Sequence, residues 1–212
     1  MKITVFGATG GIGGHVVRQA LDAGHKVAAV VRASSSYDGE HPSLEVFRVP
    51  GLTEAEPLLD AVDGSDAVIS GVGPRGRKDG PVASGSTRSI LAAMSAHGVR
   101  RFVAVSAAPL GPVPEDESFL NRRLLLPFIN AFAADVYADL RVMEAEIVSS
   151  ATDWTIVRPP KLTNKSLSGN YRTVISGNVS HGYTISRADV ADLMLAALDN
   201  PAMINQPVGV AY

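Results

Sequence analysis

The segment GATGGIGG, residues 7–14, places a dense group of glycines between an apolar run and a helical pattern. Gly7, Gly10 and Gly13 have the spacing G-x-x-G-x-x-G directly after the predicted first strand. Such a turn needs backbone angles that are closed to residues with a Cβ, and it lets a phosphate approach the main chain. The amides at the start of the next helix also attract anions, so the spacing predicts a dinucleotide diphosphate site. A tight structural turn without a ligand is the alternative.

The second apolar run ends on Arg32, which is followed by Ala33 and by serines at 34–36. In a dinucleotide-binding βαβ unit this position contacts the adenosine ribose, and a protein that prefers NAD has Asp or Glu there. A guanidinium pairs with a 2′-phosphate instead, and the serine hydroxyls can donate hydrogen bonds to it. Arg32 therefore predicts NADP(H) as the cofactor. A solvated arginine at the end of a strand is the alternative.

Other catalytic chemistries have little support in this sequence. The chain has no cysteine, which excludes thiolate zinc sites and cysteine nucleophiles. The histidines are scattered without the spacing of metal ligands, so we predict no metal site. Asp135, Asp139, Glu144 and Glu146 share a helix, and we expect them to form a solvated acidic face.

Six apolar runs predict strands at 3–6, 27–31, 44–49, 67–70, 102–106 and 154–157. Helical patterns occupy 12–23, 54–62, 87–97 and 134–149. A further helix begins at a capping box formed by Ser186 and Asp189. This alternation predicts an α/β fold with a doubly wound parallel sheet, a Rossmann fold, and a small C-terminal region on the substrate side.

Length and composition predict a single domain. The chain has 212 residues, of which 46% are hydrophobic, and a formal net charge of −2. We expect one NAD(P)-binding domain over 1–212, with 108–133 and 160–185 forming a cover on the substrate side. The near-neutral charge argues against a nucleic-acid partner, and no apolar run is long enough for a membrane span. With no signal-peptide pattern, we expect a cytoplasmic monomer or homodimer.

The cover segment 108–133 contains a dense group of apolar residues. Its members are Phe119, Leu120, Leu124, Leu125, Leu126, Phe128, Ile129 and Phe132. These residues could form a lid over a flat substrate, or they could pack as part of the ordinary core.

The motifs GATGGIG, VVR, DAVISGVG, SILAAMSAHGVRRFVAVSA and DWTIVRPPKLT together resemble a known family. They are similar to the NmrA-like, NAD(P)-binding group of atypical short-chain dehydrogenase/reductases. The nearest types are biliverdin reductase B and bacterial NADH-flavin reductases. The resemblance extends over nearly the whole chain and implies an NAD(P)H-dependent oxidoreductase. It is much less specific for the substrate.

The resemblance also implies roles for particular residues in the segments that follow predicted strands. Those expected at the diphosphate are Gly7, Thr9, Gly10 and Ile12. Those expected on the adenosine side are Arg32 and Ser35 for the 2′-phosphate, with Gly73 and Arg75 beside the ribose. Those expected around the nicotinamide are Val105, Ser106, Pro159, Pro160 and Lys161. Ser106 is the candidate catalytic residue. A structural role for it is the alternative, because the serine of interest in biliverdin reductase B matches Ala107.

Two further positions depart from the family pattern. Where relatives often have an Asp near the adenine, this chain has the stretch Pro50-Gly51-Leu52. Tyr137 and Arg141 have the spacing of the Tyr-x-x-x-Lys pair of related dehydrogenases, but arginine replaces lysine. The family's lysine also aligns with Leu140 instead, so we expect Tyr137 to be a packing residue.

Without a Tyr/Lys pair to supply a proton, reduction of a ketone is poorly supported. Hydride transfer to a planar acceptor is less demanding, because the acceptor delocalises the charge and solvent can supply the proton. We therefore predict an NADPH-dependent reductase of a small planar acceptor, with FMN or FAD first and a quinone or tetrapyrrole also open. A non-catalytic NADP(H)-sensing regulator of the NmrA type is the alternative. A sugar-nucleotide epimerase is disfavoured, because the region after residue 160 is small.

Overall fold

The computed structural model describes residues 1–74, 80–114 and 133–212. The strands in these ranges are β1 Lys2–Phe6, β2 Lys26–Arg32, β3 Leu44–Val49, β4 Ala67–Ser70, β5 Arg101–Val105, β6 Asp153–Arg158, β7 Lys161–Thr163, β8 Arg172–Ile175, β9 Thr184–Ser186 and β10 Gln206–Ala211. The α-helices are α1 Gly11–Asp22, α2 Leu59–Val62, α3 Val82–Ala96, α4 Ala134–Val148 and α5 Arg187–Ala196. Short 3₁₀ turns lie at Glu56–Leu58, Ala108–Leu110, Ala197–Asp199 and Pro201–Met203.

The main sheet has the strand order β3-β2-β1-β4-β5-β6-β10-β8. Its pairs are parallel, except that β8 runs antiparallel to β10 at the edge. β7 and β9 form a separate parallel pair. The order reverses direction at β1 and β4, and helices cover both faces, so the predicted α/β fold with a doubly wound sheet is confirmed.

The strands are buried because each face of the sheet packs against helices. On one face, Ile3 and Val5 of β1 pack with residues of α1 and α5. On the other face, Phe6 packs with residues of α2, α3 and α4. Side chains alternate between the two faces of a strand, so the short apolar runs supply both cores at once.

The structure corrects several predicted boundaries. The helix expected at 54–62 is a 3₁₀ turn, Glu56–Leu58, that continues into the short α2. α3 begins at Val82, earlier than the predicted residue 87. β8 lies in 160–185, where the sequence indicates irregular chain with short strand fragments, and its place in the main sheet was not predicted. β10 was not predicted. Among the described helices, none is long and apolar enough to cross a bilayer.

Candidate active site

The parallel strands of the main sheet end at one edge, which we call the carboxyl edge. At this edge Gly7 follows β1 with φ +76°, a left-handed conformation that favours glycine. The Gly10 amide donates to the Gly7 carbonyl at 2.8 Å and closes the turn. A Cβ on Gly7 would lie 2.9 Å from the carbonyl carbon of Gly71, directly after β4. The turn therefore requires glycine at position 7 for its angles and its packing.

Gly13 brings helix α1 close to this turn. A Cβ on Gly13 would lie only 2.2 Å from the Gly7 carbonyl oxygen, closer than real Cβ atoms approach. Gly10 is the N-cap of α1, and no described side chain caps the helix start. The first amides of α1 are thus left without side-chain partners, the arrangement that binds phosphate at a helix N-terminus. The cradle of backbone that a Cβ would fill fits a dinucleotide diphosphate.

Thr9 and Ile12, both predicted at the diphosphate, lie in the glycine turn and at the start of α1. Thr9 is half-buried within the turn, and Ile12 is in the first turn of α1 with a buried side chain. Both residues therefore lie close to Gly10 in the chain, and their contact with the diphosphate stays a prediction.

Arg32 ends β2 at the carboxyl edge, one strand away from the glycine turn. Its side chain is exposed, and the described part of the chain offers it no ion-pair partner. The loop after it folds back, since the Ser35 amide donates to the Arg32 carbonyl at 2.8 Å. Ser35 thereby lies next to Arg32, as the 2′-phosphate prediction requires.

Arg48, near the end of β3, shapes the same loop and was not singled out from the sequence. Its guanidinium donates to the carbonyl of Ser35 at 3.2 Å and to that of Tyr37 at 3.0 Å. The parallel register pairs Val31 with Arg48, so alignment of the two strands could have identified it.

The loop after β4 contributes Gly73, which is exposed and close to the carboxyl edge. A Cβ there would meet nothing within 4 Å, so packing does not require glycine at this position. Arg75 lies outside the described residues.

Ser106 directly follows β5 and is 8% exposed. Its amide donates to the Val157 carbonyl at 2.8 Å. Its hydroxyl oxygen has no hydrogen-bond partner among the described residues. Buried hydroxyls are nearly always paired, so this one is a candidate to bond a ligand. Val105, the last residue of β5, is half-buried beside it.

The residues after β6 are fixed by a charged pair. The Arg158 guanidinium donates to the Glu144 carboxylate at 3.0 and 2.6 Å, and both side chains are largely buried. This bidentate pair ties the end of β6 to α4. Pro159 is buried next to it and accepts a hydrogen bond from the Ala108 amide at 2.9 Å. Pro159 is therefore held close to the segment that follows Ser106.

Pro160 and Lys161 continue from this point. Pro160 is half-buried, whereas Lys161 is exposed at the start of β7. Lys161 therefore lies on the surface of the carboxyl edge, with a side chain that solvent can reach.

The two segments predicted to form the cover are joined by Asn178. Its amide donates to the carbonyls of Ala108 at 2.8 Å and Pro112 at 3.1 Å. β8 lies inside the second segment and belongs to the main sheet. The apolar group at 119–132, predicted as lid or core, lies outside the described residues.

The prediction of a solvated acidic face on α4 is wrong for two of its four members, Asp139 and Glu144. Asp139 is buried and accepts hydrogen bonds from the amides of Ala83 and Ser84 at 2.8 and 3.1 Å. Glu144 holds Arg158, and Glu146 pairs with Arg88 at 2.8 Å. Asp135 remains exposed.

Tyr137 packs against the core on the α4 side of the sheet. Burial raises the pKa of Tyr137, which is opposite to the effect of a catalytic cation beside a tyrosine. Arg141 is exposed one turn further on. The geometry agrees with a packing role for Tyr137.

Comparisons with known proteins give the family. A protein of Arabidopsis thaliana described as uncharacterised and chloroplastic is 32% identical over 206 residues, covering 93% of this chain and 71% of its own. An isoflavone reductase homologue of Nicotiana tabacum, A622, is 25% identical over 222 residues, covering 97% of this chain and 66% of its own.

A solved structure has the same fold. A short-chain dehydrogenase/reductase from Veillonella parvula in complex with NADP superposes with a TM-score of 0.81 at 20% identity. The match covers 100% of this chain and 94% of that one. The NAD(P)H-binding family matches residues 7–201, from the first glycine of the turn to beyond α5. This chain therefore belongs to the NAD(P)H-binding family of Rossmann-fold proteins.

Proposed function

We propose that this protein is an NADPH-dependent reductase that transfers hydride to a small planar acceptor, with a flavin as the first candidate. Within its family we assign it to the NmrA-like group, near the biliverdin reductase B and flavin reductase types. The A622 relative is named as an isoflavone reductase homologue, which is consistent with a reductase. The observation that carries the coenzyme proposal is Arg32, exposed beside the glycine turn with no acidic partner in the described chain.

The chemistry at the nicotinamide position limits the acceptor. NADPH, when bound, would supply a hydride and leave the proton to another source. Ser106 offers a hydroxyl there, and the raised pKa of Tyr137 gives no support to a tyrosine acid. An acceptor that takes its proton from solvent suits such a site better than a ketone does. Ser106 and Pro159 would then orient the two planar groups rather than transfer a proton.

Turnover with flavins tests this proposal. The protein is mixed with NADPH and with FMN, FAD, a quinone or biliverdin, and the NADPH absorbance band is followed. We expect the band to decay with at least one acceptor, and faster with NADPH than with NADH. Coenzyme binding without turnover on any acceptor would instead favour the NADP(H)-sensing regulator. Failure to bind either coenzyme would contradict both.

A further inference from the structure

Arg187 reaches the glycine turn from a different helix. It is the first residue of α5, directly after the cap Ser186. α5 packs along α1, where the Gln19 side-chain amide donates to the Ala188 carbonyl at 2.9 Å. A Cβ on Gly11 would lie 2.6 Å from Arg187 Cδ and 2.9 Å from its Nε. The arginine stem therefore occupies the space above the first residue of α1, and Gly11 leaves room for it.

The Arg187 guanidinium has a neutral partner and no acidic one. Its Nη1 donates to Asn164 Oδ1 at 2.6 Å. Asn164 follows β7, so this bond links the glycine turn to the segment on the substrate side. In the ranges that the structure describes, no carboxylate forms an ion pair with Arg187. The other guanidinium N–H groups are available to a ligand.

Positive charge accumulates around this guanidinium. Arg187 stands at the N-terminus of α5 and leans over the N-terminus of α1, where the helix dipoles are positive. Burial, Arg18 and Arg187 together lower the pKa of His15, which places the three side chains in one electrostatic neighbourhood. Asp189 is an acid at the same helix start, but its carboxylate is bonded to Tyr212, Ser186, Ser168 and Gly169 and not to Arg187. The converging positive groups repel one another, and an anion bound between them would relieve that repulsion.

We propose that Arg187 binds the coenzyme diphosphate, across from the amides of α1, and that Asn164 is the positioning residue that aims it. The inference rests on the dinucleotide binding of the proposed function. Arg187 is thereby assigned to the diphosphate, which NADPH and NADH both contain. Arg32 is assigned to the 2′-phosphate, which only NADPH has.

The test is the dissociation constant of each coenzyme, measured by calorimetry for the wild type and for Arg187→Met, which keeps the apolar stem over Gly11. We expect binding of NADPH and NADH to weaken by the same factor, about tenfold, because one charge-assisted contact is lost from both. Arg141→Met is the matched control, an exposed arginine on α4, which packs on the other face of the sheet, and it should change either constant less than twofold.

Two more variants keep the test independent of folding. Arg187→Lys retains the charge but lacks the fork that can hold Asn164 and a phosphate together, so it should recover only part of the affinity. Asn164→Ala should weaken the binding of both coenzymes when Arg187 is present. In the Arg187→Met background it should not change either dissociation constant.

If Arg187→Met binds both coenzymes as tightly as the wild type does, the inference is overturned and the proposed function still stands. A loss confined to NADPH would also overturn it, because Arg187 would then serve the 2′-phosphate. Absence of coenzyme binding by the wild type would overturn both.

Discussion

Arg32 and Ser35 are joined by a backbone hydrogen bond of 2.8 Å, and we treat them as one recognition patch. The loop that carries them is folded back by the Ser35 amide and pinned by Arg48. The patch offers positive charge that the described residues do not neutralise by an ion pair. An anion with the size of a 2′-phosphate would complete it.

Arg32→Ala should therefore raise the dissociation constant of NADPH about tenfold and leave that of NADH nearly unchanged. Titration calorimetry with both coenzymes measures the two constants. Lys26→Ala is the matched control, because Lys26 is an exposed cation at the other end of the same strand. An equal loss of affinity for both coenzymes, or no loss of affinity for either, would contradict a 2′-phosphate role for Arg32.

The Ser106 hydroxyl gives a second prediction at the level of single residues. It has no partner in the described chain, so its removal takes away an unsatisfied polar group. Ser106→Ala should leave the free energy of unfolding unchanged or raise it by up to about 1 kcal/mol, while lowering turnover about tenfold. Denaturant unfolding and the NADPH oxidation rate measure the two effects.

Thr4→Val is the contrasting control for that experiment. The Thr4 hydroxyl is also buried, but it bonds the Ala61 carbonyl at 2.6 Å and Ser65 Oγ at 2.7 Å. Removing this hydroxyl should lower the free energy of unfolding by about 1–2 kcal/mol and should not specifically change turnover. If Ser106→Ala destabilises the fold as much as Thr4→Val, the serine has a structural role.

At the level of elements, Asp189 connects α5 to the segment after β7 and to the C-terminal residue. Its buried carboxylate accepts hydrogen bonds from Tyr212 Oη at 2.6 Å, Ser186 Oγ at 2.8 Å and the amides of Ser168 and Gly169 at 2.9 Å. Burial by itself would raise the pKa of Asp189, but these donors outweigh it and lower the pKa from 3.8 to about 2. Folding is therefore linked to ionisation of this carboxyl.

Because the pKa is lower in the folded state, the stabilisation is present above pH 4 and is lost as the pH falls towards 2. Asp189→Asn should lower the free energy of unfolding by roughly 2 kcal/mol at pH 7, with a smaller difference at pH 3. Urea unfolding across this pH range measures it. Asp135→Asn removes an exposed carboxylate and should show no such pH dependence. If Asp189→Asn lowers the free energy of unfolding by the same amount from pH 7 to pH 3, folding is not linked to ionisation of Asp189.

The same elements show what local sequence can predict. Ser186 and Asp189 are three residues apart, and half of the predicted capping box is present, because the Asp189 amide donates to Ser186 Oγ at 2.9 Å. The reciprocal bond is replaced, since the Ser186 amide donates to Tyr212 Oη at 3.1 Å. The early start of α3 could not be seen locally, because its amides are capped by Asp139 from α4. β10 contains a proline and a glycine, and it is a strand because β6 and β8 pair with it.

At the scale of the whole molecule, the sheet order brings the predicted site together from distant parts of the sequence. Gly7, Arg32 and Ser106 follow or end β1, β2 and β5, so the parallel arrangement places them along one edge. Local motifs predict Gly7 and Arg32, and the family resemblance predicts Ser106. Arg187 and Arg48 lack such a signal, because their placement depends on how α5 packs on α1 and how β3 registers with β2.

The opposite edge of the sheet holds a cavity of about 540 Å³ near the starts of β5 and β6. It is lined by Arg100, Glu146 and residues 149–152, among others, and Arg100 there pairs with Asp153 at 2.9 Å. None of the predicted coenzyme residues lines it. The cavity therefore lies at the opposite edge from the proposed coenzyme site.

Hydrogen exchange with and without NADPH tests that separation across the entire chain. We expect slower exchange at residues 7–13, 32–37 and 105–108, because a bound coenzyme would restrain the loops at the carboxyl edge. Residues 149–152 should exchange at the same rate in both states, which makes them an internal control. In Arg32→Ala, protection at 32–37 should be lost while protection at 7–13 persists at a saturating NADPH concentration. Protection centred on 149–152 would instead place the coenzyme at the opposite edge and contradict the site described above.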